Sequence, residues 1–92
     1  MKLLLCLECQ DVLKLTQAGR YCLCGQSWGR YLNNEIDAEI SGLCVPLGFA
    51  NSQLAYALKH RPVTGRGQIF DAFVIPLACD TVREVPHQLP NQ

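Results

Sequence analysis

Two close cysteine pairs stand near the N-terminus, in the stretches Cys6-Leu7-Glu8-Cys9 and Cys22-Leu23-Cys24-Gly25. Structural zinc prefers four soft donors in a tetrahedron, each sulfur about 2.3 Å from the metal. A short spacer lets both sulfurs of a pair turn inward from one bend, and the chain between the pairs is long enough for a hairpin. Glycine after the second pair suits a bend that needs positive φ. The spacing therefore predicts a metal site with four ligands: Cys6, Cys9, Cys22 and Cys24.

Two other uses of these cysteines stay open. Six cysteines in 92 residues are also typical of a small disulfide-bonded secreted domain. Iron in the same four-cysteine site would give a rubredoxin-like electron carrier. Against secretion, the apolar run Leu3 to Leu7 ends at Glu8 and is shorter than the about 7–15 residues of a signal peptide's apolar region. We therefore expect a cytoplasmic protein without a membrane segment, in which thiols stay reduced and bind metal.

The composition is that of a small folded protein. The chain is 49% hydrophobic and 17% charged, which excludes the disordered class. Eight Lys and Arg residues balance eight Asp and Glu residues, so the chain lacks the basic excess that favours nucleic-acid binding. A chain of this size buries only about 60–65% of its unfolded surface, and a structural metal adds the stability that such a small core lacks.

The patterning predicts an α+β fold, mostly β, in which an N-terminal zinc ribbon continues into a small antiparallel sheet with one short helix. We assign residues 1–32 to the zinc ribbon and 33–80 to a small sheet-and-helix part packed on it. Residues 81–92 are polar and contain two prolines, which predicts a flexible tail.

Three further strands and the helix are predicted within the second part. Alternation over 35–40 and the apolar runs 45–49 and 68–75 indicate strands. The last of these is apolar on both faces except for one aspartate, which predicts a central strand. The helix is expected over 52–60, with Asn51 as its N-cap and with an apolar stripe, including Leu54 and Leu58, packed on the sheet.

Two charged groups are candidate partner-binding surfaces. Glu35, Asp37 and Glu39 alternate with apolar residues and would form an acidic stripe on one face of a strand. Lys59, Arg61 and Arg66 form a basic cluster at the end of the helix and in the loop after it. Each group can also be an ordinary solvated surface, because charge runs usually are.

No catalytic signature is visible. Cys44 and Cys79 lie in or beside apolar runs, where a free cysteine usually serves as a small buried hydrophobe. A catalytic cysteine would need a lowered pKa and a histidine partner, and the chain has only His60 and His87. Phosphate-binding glycine loops, His-Glu-x-x-His and nucleophile elbows do not occur. We therefore expect no enzyme.

The N-terminal motif resembles a zinc ribbon or rubredoxin-type knuckle, carried by Cys6, Cys9, Cys22, Cys24 and Gly25. The second pair departs from the usual ribbon by having one residue between its cysteines instead of two. The stretches 29–32, 45–51 and 72–76 make the whole chain similar to small uncharacterised zinc-ribbon proteins of bacteria and their phages. This resemblance implies a zinc-binding cytosolic protein and no assigned activity.

The sequence thus predicts a small protein with one structural zinc per chain that acts as a protein-binding adaptor or inhibitor. The acidic stripe and the exposed loop would contact the partner, which is not identified. The alternatives are a nucleic-acid-binding zinc ribbon that uses the basic cluster, and a rubredoxin-like electron carrier. Unpaired sheet edges would also permit a homodimer.

Overall fold

The computed structural model describes residues 1–86, in which short strands dominate and a single helix follows the sixth strand. The elements in chain order are β1 (Lys2–Cys6), β2 (Val12–Lys14), β3 (Arg20–Tyr21), β4 (Ser27–Tyr31), β5 (Ala38–Gly42), β6 (Cys44–Phe49), α1 (Asn51–Lys59), β7 (Ala72–Val74) and β8 (Val82–Glu84). The predicted class, α+β and mostly β, is confirmed. No helix in residues 1–86 has the length and apolar character needed to cross a membrane.

The strands form two four-stranded sheets. Sheet A has the order β2-β1-β6-β7 and is antiparallel throughout. Sheet B has the order β3-β4-β5-β8, in which β8 pairs parallel to β5 and the other pairs are antiparallel. Each sheet therefore combines strands from residues 1–32 with strands from later in the chain. Strand β8 lies within the segment predicted as a tail, and residues 87–92 of that segment lie outside the described residues.

The core lies at the end of the molecule that carries the cysteine pairs. Its buried members are Leu4, Cys6, Leu13, Leu15, Cys22, Ala38 and Ile40. They come from both sheets, and burying a leucine side chain contributes about 1.5–3 kcal/mol. Because two of the four paired cysteines belong to this cluster, the candidate metal site is part of the core.

The chain passes from sheet B to sheet A through Gly42 and Leu43. Gly42 has φ +96°, and a Cβ atom there would lie 1.9 Å from the carbonyl oxygen of Gln26, so this position requires glycine. The Leu43 carbonyl accepts one hydrogen bond from the Leu7 N–H at 2.9 Å and another from Ser27 Oγ at 3.0 Å. Since Ser27 belongs to β4 and Leu7 follows β1, this single oxygen joins the two sheets.

The strand predicted over residues 35–40 begins only at Ala38. Glu35 has φ 57°, in the left-handed region. The side-chain oxygen of Asn34 accepts hydrogen bonds from the N–H groups of Ile36 at 3.0 Å and Asp37 at 2.9 Å. An asparagine turn of this kind competes with strand pairing. The prediction was wrong for residues 35–37, and the acidic stripe does not form on one strand.

The predicted central strand over residues 68–75 was also wrong in length and position. Strand β7 covers only Ala72–Val74, lies at the edge of sheet A and is exposed at all three residues. Phe70 instead packs edge-on against Phe49, with ring centroids 5.1 Å apart. The apolar character of this segment therefore does not indicate burial between neighbouring strands.

Helix α1 lies at the periphery. It begins at Asn51, but Ala50 is the N-cap and no side chain caps the helix. Asn51 instead accepts a hydrogen bond from the Met1 amino group at 2.7 Å. Leu58, predicted to face a core, is 68% exposed, and Ala57 is the buried residue of α1. The helix makes few contacts with the strands, so the predicted packing on the sheet is sparse.

The described molecule is elongated. Its extents are 46 × 26 × 23 Å and its radius of gyration is 14.7 Å, whereas a compact chain of this length has about 12 Å. The two ends differ in kind, because the core and the cysteine pairs occupy one part while α1 and the loop after it are largely exposed.

Candidate metal centre

The first cysteine pair lies in a tight turn at the end of β1. The Gln10 N–H donates to the Cys6 carbonyl at 2.8 Å and closes the turn, and Gln10 has φ 61°. The Cys9 N–H lies 3.5 Å from Cys6 Sγ, at the distance of a weak hydrogen bond to sulfur. This turn brings both sulfurs into one cluster, although its left-handed position carries glutamine rather than glycine.

The second cysteine pair lies in the turn between β3 and β4. The Gly25 N–H donates to the Cys22 carbonyl at 3.1 Å, and Gly25 has φ 77°. The N–H of Leu23 donates to Asp11 Oδ2 at 3.0 Å, which ties this turn to the chain that follows the first pair. The single residue between Cys22 and Cys24 therefore still allows both sulfurs to converge.

The four sulfur atoms all lie within 4.8 Å of one another. Cys24 Sγ is 3.7 Å from Cys6 Sγ and 3.5 Å from Cys22 Sγ. Four sulfurs placed 2.3 Å from a tetrahedral metal are separated by about 3.8 Å, whereas a disulfide bond measures about 2.05 Å. All six cysteines are free. The four predicted ligands are thus positioned to hold a metal ion.

Burial and hydrogen bonding act differently on the four thiols. Burial raises the pKa of Cys6, but the nearby polar Ser27 side chain and a hydrogen bond from the Cys9 backbone lower it to about 6. At Cys24, a backbone hydrogen bond from Gln26 lowers the pKa, but desolvation and the neighbouring sulfurs raise it to about 12. Thiolates this close disfavour one another's ionisation, and a bound cation removes that penalty.

The ligand set indicates what the site can do. Four cysteines complete a tetrahedral shell and leave no position for water or substrate, which is typical of structural rather than catalytic sites. Cys6 ends β1 of sheet A, and Cys22 follows β3 of sheet B. A metal held by these residues therefore cross-links the two sheets.

The three predicted acidic contact residues have separate local partners. Glu39 forms an ion pair with Arg30, with 2.8 Å between the closest nitrogen and oxygen. Glu35 accepts a hydrogen bond from the Gln17 side chain at 3.0 Å, and Asp37 accepts one within its own turn. The structure does not bring them together as one stripe, and their role in partner binding stays a prediction.

The predicted basic residues are all exposed around α1 and the loop after it. Lys59 is in the last turn of the helix, and Arg61 lines a groove of about 270 Å³. Apolar lining comes from both the helix and the loop, and includes Leu54, Leu58, Val63 and Phe70. Sequence reasoning missed this groove because it took the apolar residues of α1 as packed on a sheet. The sequence feature that could have indicated the groove is the set Pro62, Gly65 and Gly67, which break regular structure in the loop beside the apolar residues of α1.

The two remaining cysteines are half-buried. Burial raises the pKa of Cys44 to about 11, with Glu84 contributing. Cys44 Sγ lies 3.5 Å from the Ser41 carbonyl oxygen, and Cys79 Sγ lies 3.4 Å from the Thr81 hydroxyl. His60 stacks on Tyr56 with 4.0 Å between ring centroids. Neither cysteine pairs with His60 among the contacts of residues 1–86.

Comparisons of the chain with protein-family models, with curated proteins and with solved structures find no match. The resemblance to zinc-ribbon proteins therefore stays an expectation. The four-cysteine site stands on its own geometry, which is consistent with a zinc-binding knuckle.

Proposed function

We propose that this is a small zinc-binding protein whose metal has a structural role. The observation that carries the proposal is the cluster of four cysteine sulfurs within 4.8 Å of one another. Zinc is the metal most often held by four cysteines in closed structural sites. The site contributes two residues to the core and connects both sheets, so the metal would hold together a chain that is too small to build a large core.

The metal is tested by native mass spectrometry and elemental analysis of the protein isolated from its own cell. We expect one zinc per chain. Cys79→Ser is the matched control and should retain that zinc, whereas Cys22→Ser should lose it. Iron in the site would instead favour the electron carrier. A metal-free protein with masses reduced by pairs of hydrogens would indicate disulfides and contradict the proposal.

The zinc-stabilised fold is proposed to serve as a protein-binding adaptor or inhibitor that uses the groove beside α1. Exposed apolar side chains surround this groove, and Val63 is 99% exposed. No acidic residue occurs between Glu39 and Asp71, whereas the basic cluster lies in that interval. An exposed apolar surface commonly marks an interaction site, and a positive rim favours a partner segment that is acidic and partly apolar.

Nucleic-acid binding is the second candidate, because Lys59, Arg61 and Arg66 also suit phosphate groups. The apolar lining of the groove favours protein, since phosphate binding needs no such surface. Salt dependence separates the two candidates. Retention of RNA or DNA that falls steeply with salt and is lost in Arg61→Glu would favour nucleic acid.

Site-directed cross-linking tests the adaptor proposal in the protein's own cell. A photoreactive residue at position 63 is expected to capture one defined protein. The same residue at position 12 is the control, since Val12 is also exposed but lies in β2. Arg61→Glu should weaken the capture, because it places a negative charge beside the groove. Equal capture from both positions, or none from position 63, would contradict the proposal.

A further inference from the structure

A fifth cysteine lies directly opposite one of the four metal-ligand candidates. Cys44 is the first residue of β6, and its partner in the ladder with β1 is Cys6. Cys6 is fully buried in the core cluster, and Cys44 is half-buried and packs against the same cluster. Residues directly opposite in an antiparallel pair place their side chains on the same face of the sheet.

The hydrogen bonds determine the type of this pair. The Leu7 N–H donates to the Leu43 carbonyl at 2.9 Å, and these two residues flank the pair. Cys6 and Cys44 therefore form a non-hydrogen-bonded pair, in which the Cα atoms are about 4.5 Å apart and the side chains approach most closely. A disulfide needs Cα atoms about 4.4–6.8 Å apart. The two cysteines can thus be joined without a change of strand register.

The other cysteine outside the ligand set lacks this arrangement. Cys79 lies between β7 and β8, outside any strand, and its sulfur contacts Thr81. It therefore provides a matched control, because it is a half-buried free cysteine that faces no ligand across a ladder.

We propose that Cys6 and Cys44 form a redox-modification site, at which an oxidant of the peroxide class joins them as a disulfide and removes one ligand from the metal. Cys44 is the entry point because its side chain is partly accessible whereas that of Cys6 is not. Since burial raises the pKa of Cys44, only its small thiolate fraction reacts at neutral pH, and the oxidation is slow. Peroxide converts the Cys44 thiol to a sulfenic acid, with one peroxide oxygen retained on sulfur and the other released as water.

The second step uses the ligand itself. The Cys6 thiolate attacks the sulfenic sulfur of Cys44, the sulfur–sulfur bond forms, the sulfur–oxygen bond breaks, and hydroxide leaves. Two electrons have then passed from the two sulfurs to the two peroxide oxygens. A disulfide-bonded Cys6 no longer offers a thiolate, so three cysteines hold the metal and its affinity falls. Thiol reductants reverse the reaction.

The inference rests on the proposed zinc site, and its test separates the two. Zinc-loaded protein is treated with hydrogen peroxide, and zinc release is followed with a chromogenic chelator. Trypsin places the relevant cysteines on the separate peptides 3–14, 21–30 and 31–59. We expect a disulfide between peptides 3–14 and 31–59, fragmentation that assigns it to Cys6 and Cys44, and about one zinc released per disulfide. Dithiothreitol with added zinc should restore the original state.

Two variants complete the test. Cys44→Ser should load one zinc when reduced, as the wild type does, and should release it at least about tenfold more slowly under the same peroxide. Cys79→Ser should release zinc at the wild-type rate. Disulfides confined to the four ligands, or equal release by Cys44→Ser and wild type, would overturn the inference. If the isolated protein holds no zinc, the zinc proposal fails. The presence or absence of a disulfide between peptides 3–14 and 31–59 after peroxide treatment then still decides whether Cys6 and Cys44 pair.

Discussion

The two ends of this molecule are built in different ways. At the metal end, short strands meet in a small core that contains two of the four paired cysteines. At the helix end, α1 and residues 60–71 expose apolar side chains and bury little. Under the proposed function, a bound metal would stabilise the first region, and the second would be the surface that contacts a partner. Substitutions should therefore affect stability strongly at the metal end and weakly at the helix end.

Removing one sulfur ligand should have the largest effect. Cys22→Ser leaves three ligands. The binding of a structural zinc contributes about 10–16 kcal/mol in small zinc domains, which is as large as the whole free energy of unfolding of most small folds. We expect loss of zinc and of cooperative unfolding, measured by elemental analysis and circular dichroism. A variant that keeps one zinc and unfolds at the wild-type temperature would show that the metal is dispensable.

The connection between the sheets should come next. Gly42→Ala combines positive φ with a Cβ atom 1.9 Å from a backbone oxygen, and we expect a loss of about 2–5 kcal/mol in the free energy of unfolding. Gly48→Ala is the matched control toward the helix end. Its Cβ atom would lie 2.5 Å from the ring of Phe73, but that side chain is exposed and can move, so we expect less than about 1.5 kcal/mol.

Urea unfolding of both glycine variants measures this difference. Equal losses for Gly42→Ala and Gly48→Ala would mean that the backbone at the junction relaxes as easily as an exposed ring. The comparison between the two ends would then lose its structural basis.

The two cysteine turns offer a smaller and more local test. Both have a left-handed residue after the second cysteine, Gln10 in one and Gly25 in the other. Gly25→Ala should destabilise the zinc-loaded protein by about 1–2 kcal/mol, because side chains disfavour this conformation. Gln10→Gly should stabilise it by less than about 1 kcal/mol. Glycine removes the backbone strain at positive φ, but it also raises the conformational entropy of the unfolded chain, and the two effects nearly cancel. Thermal unfolding of both variants with zinc bound checks the opposite signs.

The helix end should give the smallest effect on stability. Leu58→Asn replaces a side chain that is 68% exposed, and we expect a change within about 0.5 kcal/mol in the free energy of unfolding. The same variant should reduce cross-linking from position 63, because Leu58 lines the groove. A large loss of stability would show that the groove is part of the core and not a contact surface.

The sequence predicted the features that depend on local spacing. The convergence of the four cysteine sulfurs followed from the two cysteine pairs, and the fold class followed from the abundance of short apolar runs. The pairing of β1 with β6 and of β5 with β8 did not follow, because such contacts join residues far apart in the chain. Which distant strands pair depends on packing in the folded chain, and this packing is not specified by the local pattern of one segment.

The wrong predictions have two separate physical causes. Alternation of charged and apolar residues over 35–40 resembles a strand, but Asn34 caps a turn there and delays the strand to Ala38. The apolar segment 68–75 was taken as buried, but only Ala72–Val74 pairs, at a sheet edge. Apolar residues also occur on exposed surfaces, and a single sequence does not distinguish these from core.

The carbonyl of Leu43 has a consequence for how this sequence tolerates change. The oxygen that joins the two sheets belongs to the main chain, so no side-chain substitution at position 43 deletes it. The leucine side chain is itself 57% exposed, and position 43 should therefore accept many residues in a saturation library. Selection in such a library should fall on the neighbours that hold the carbonyl in place, Gly42 through its backbone angle and Ser27 through its hydroxyl.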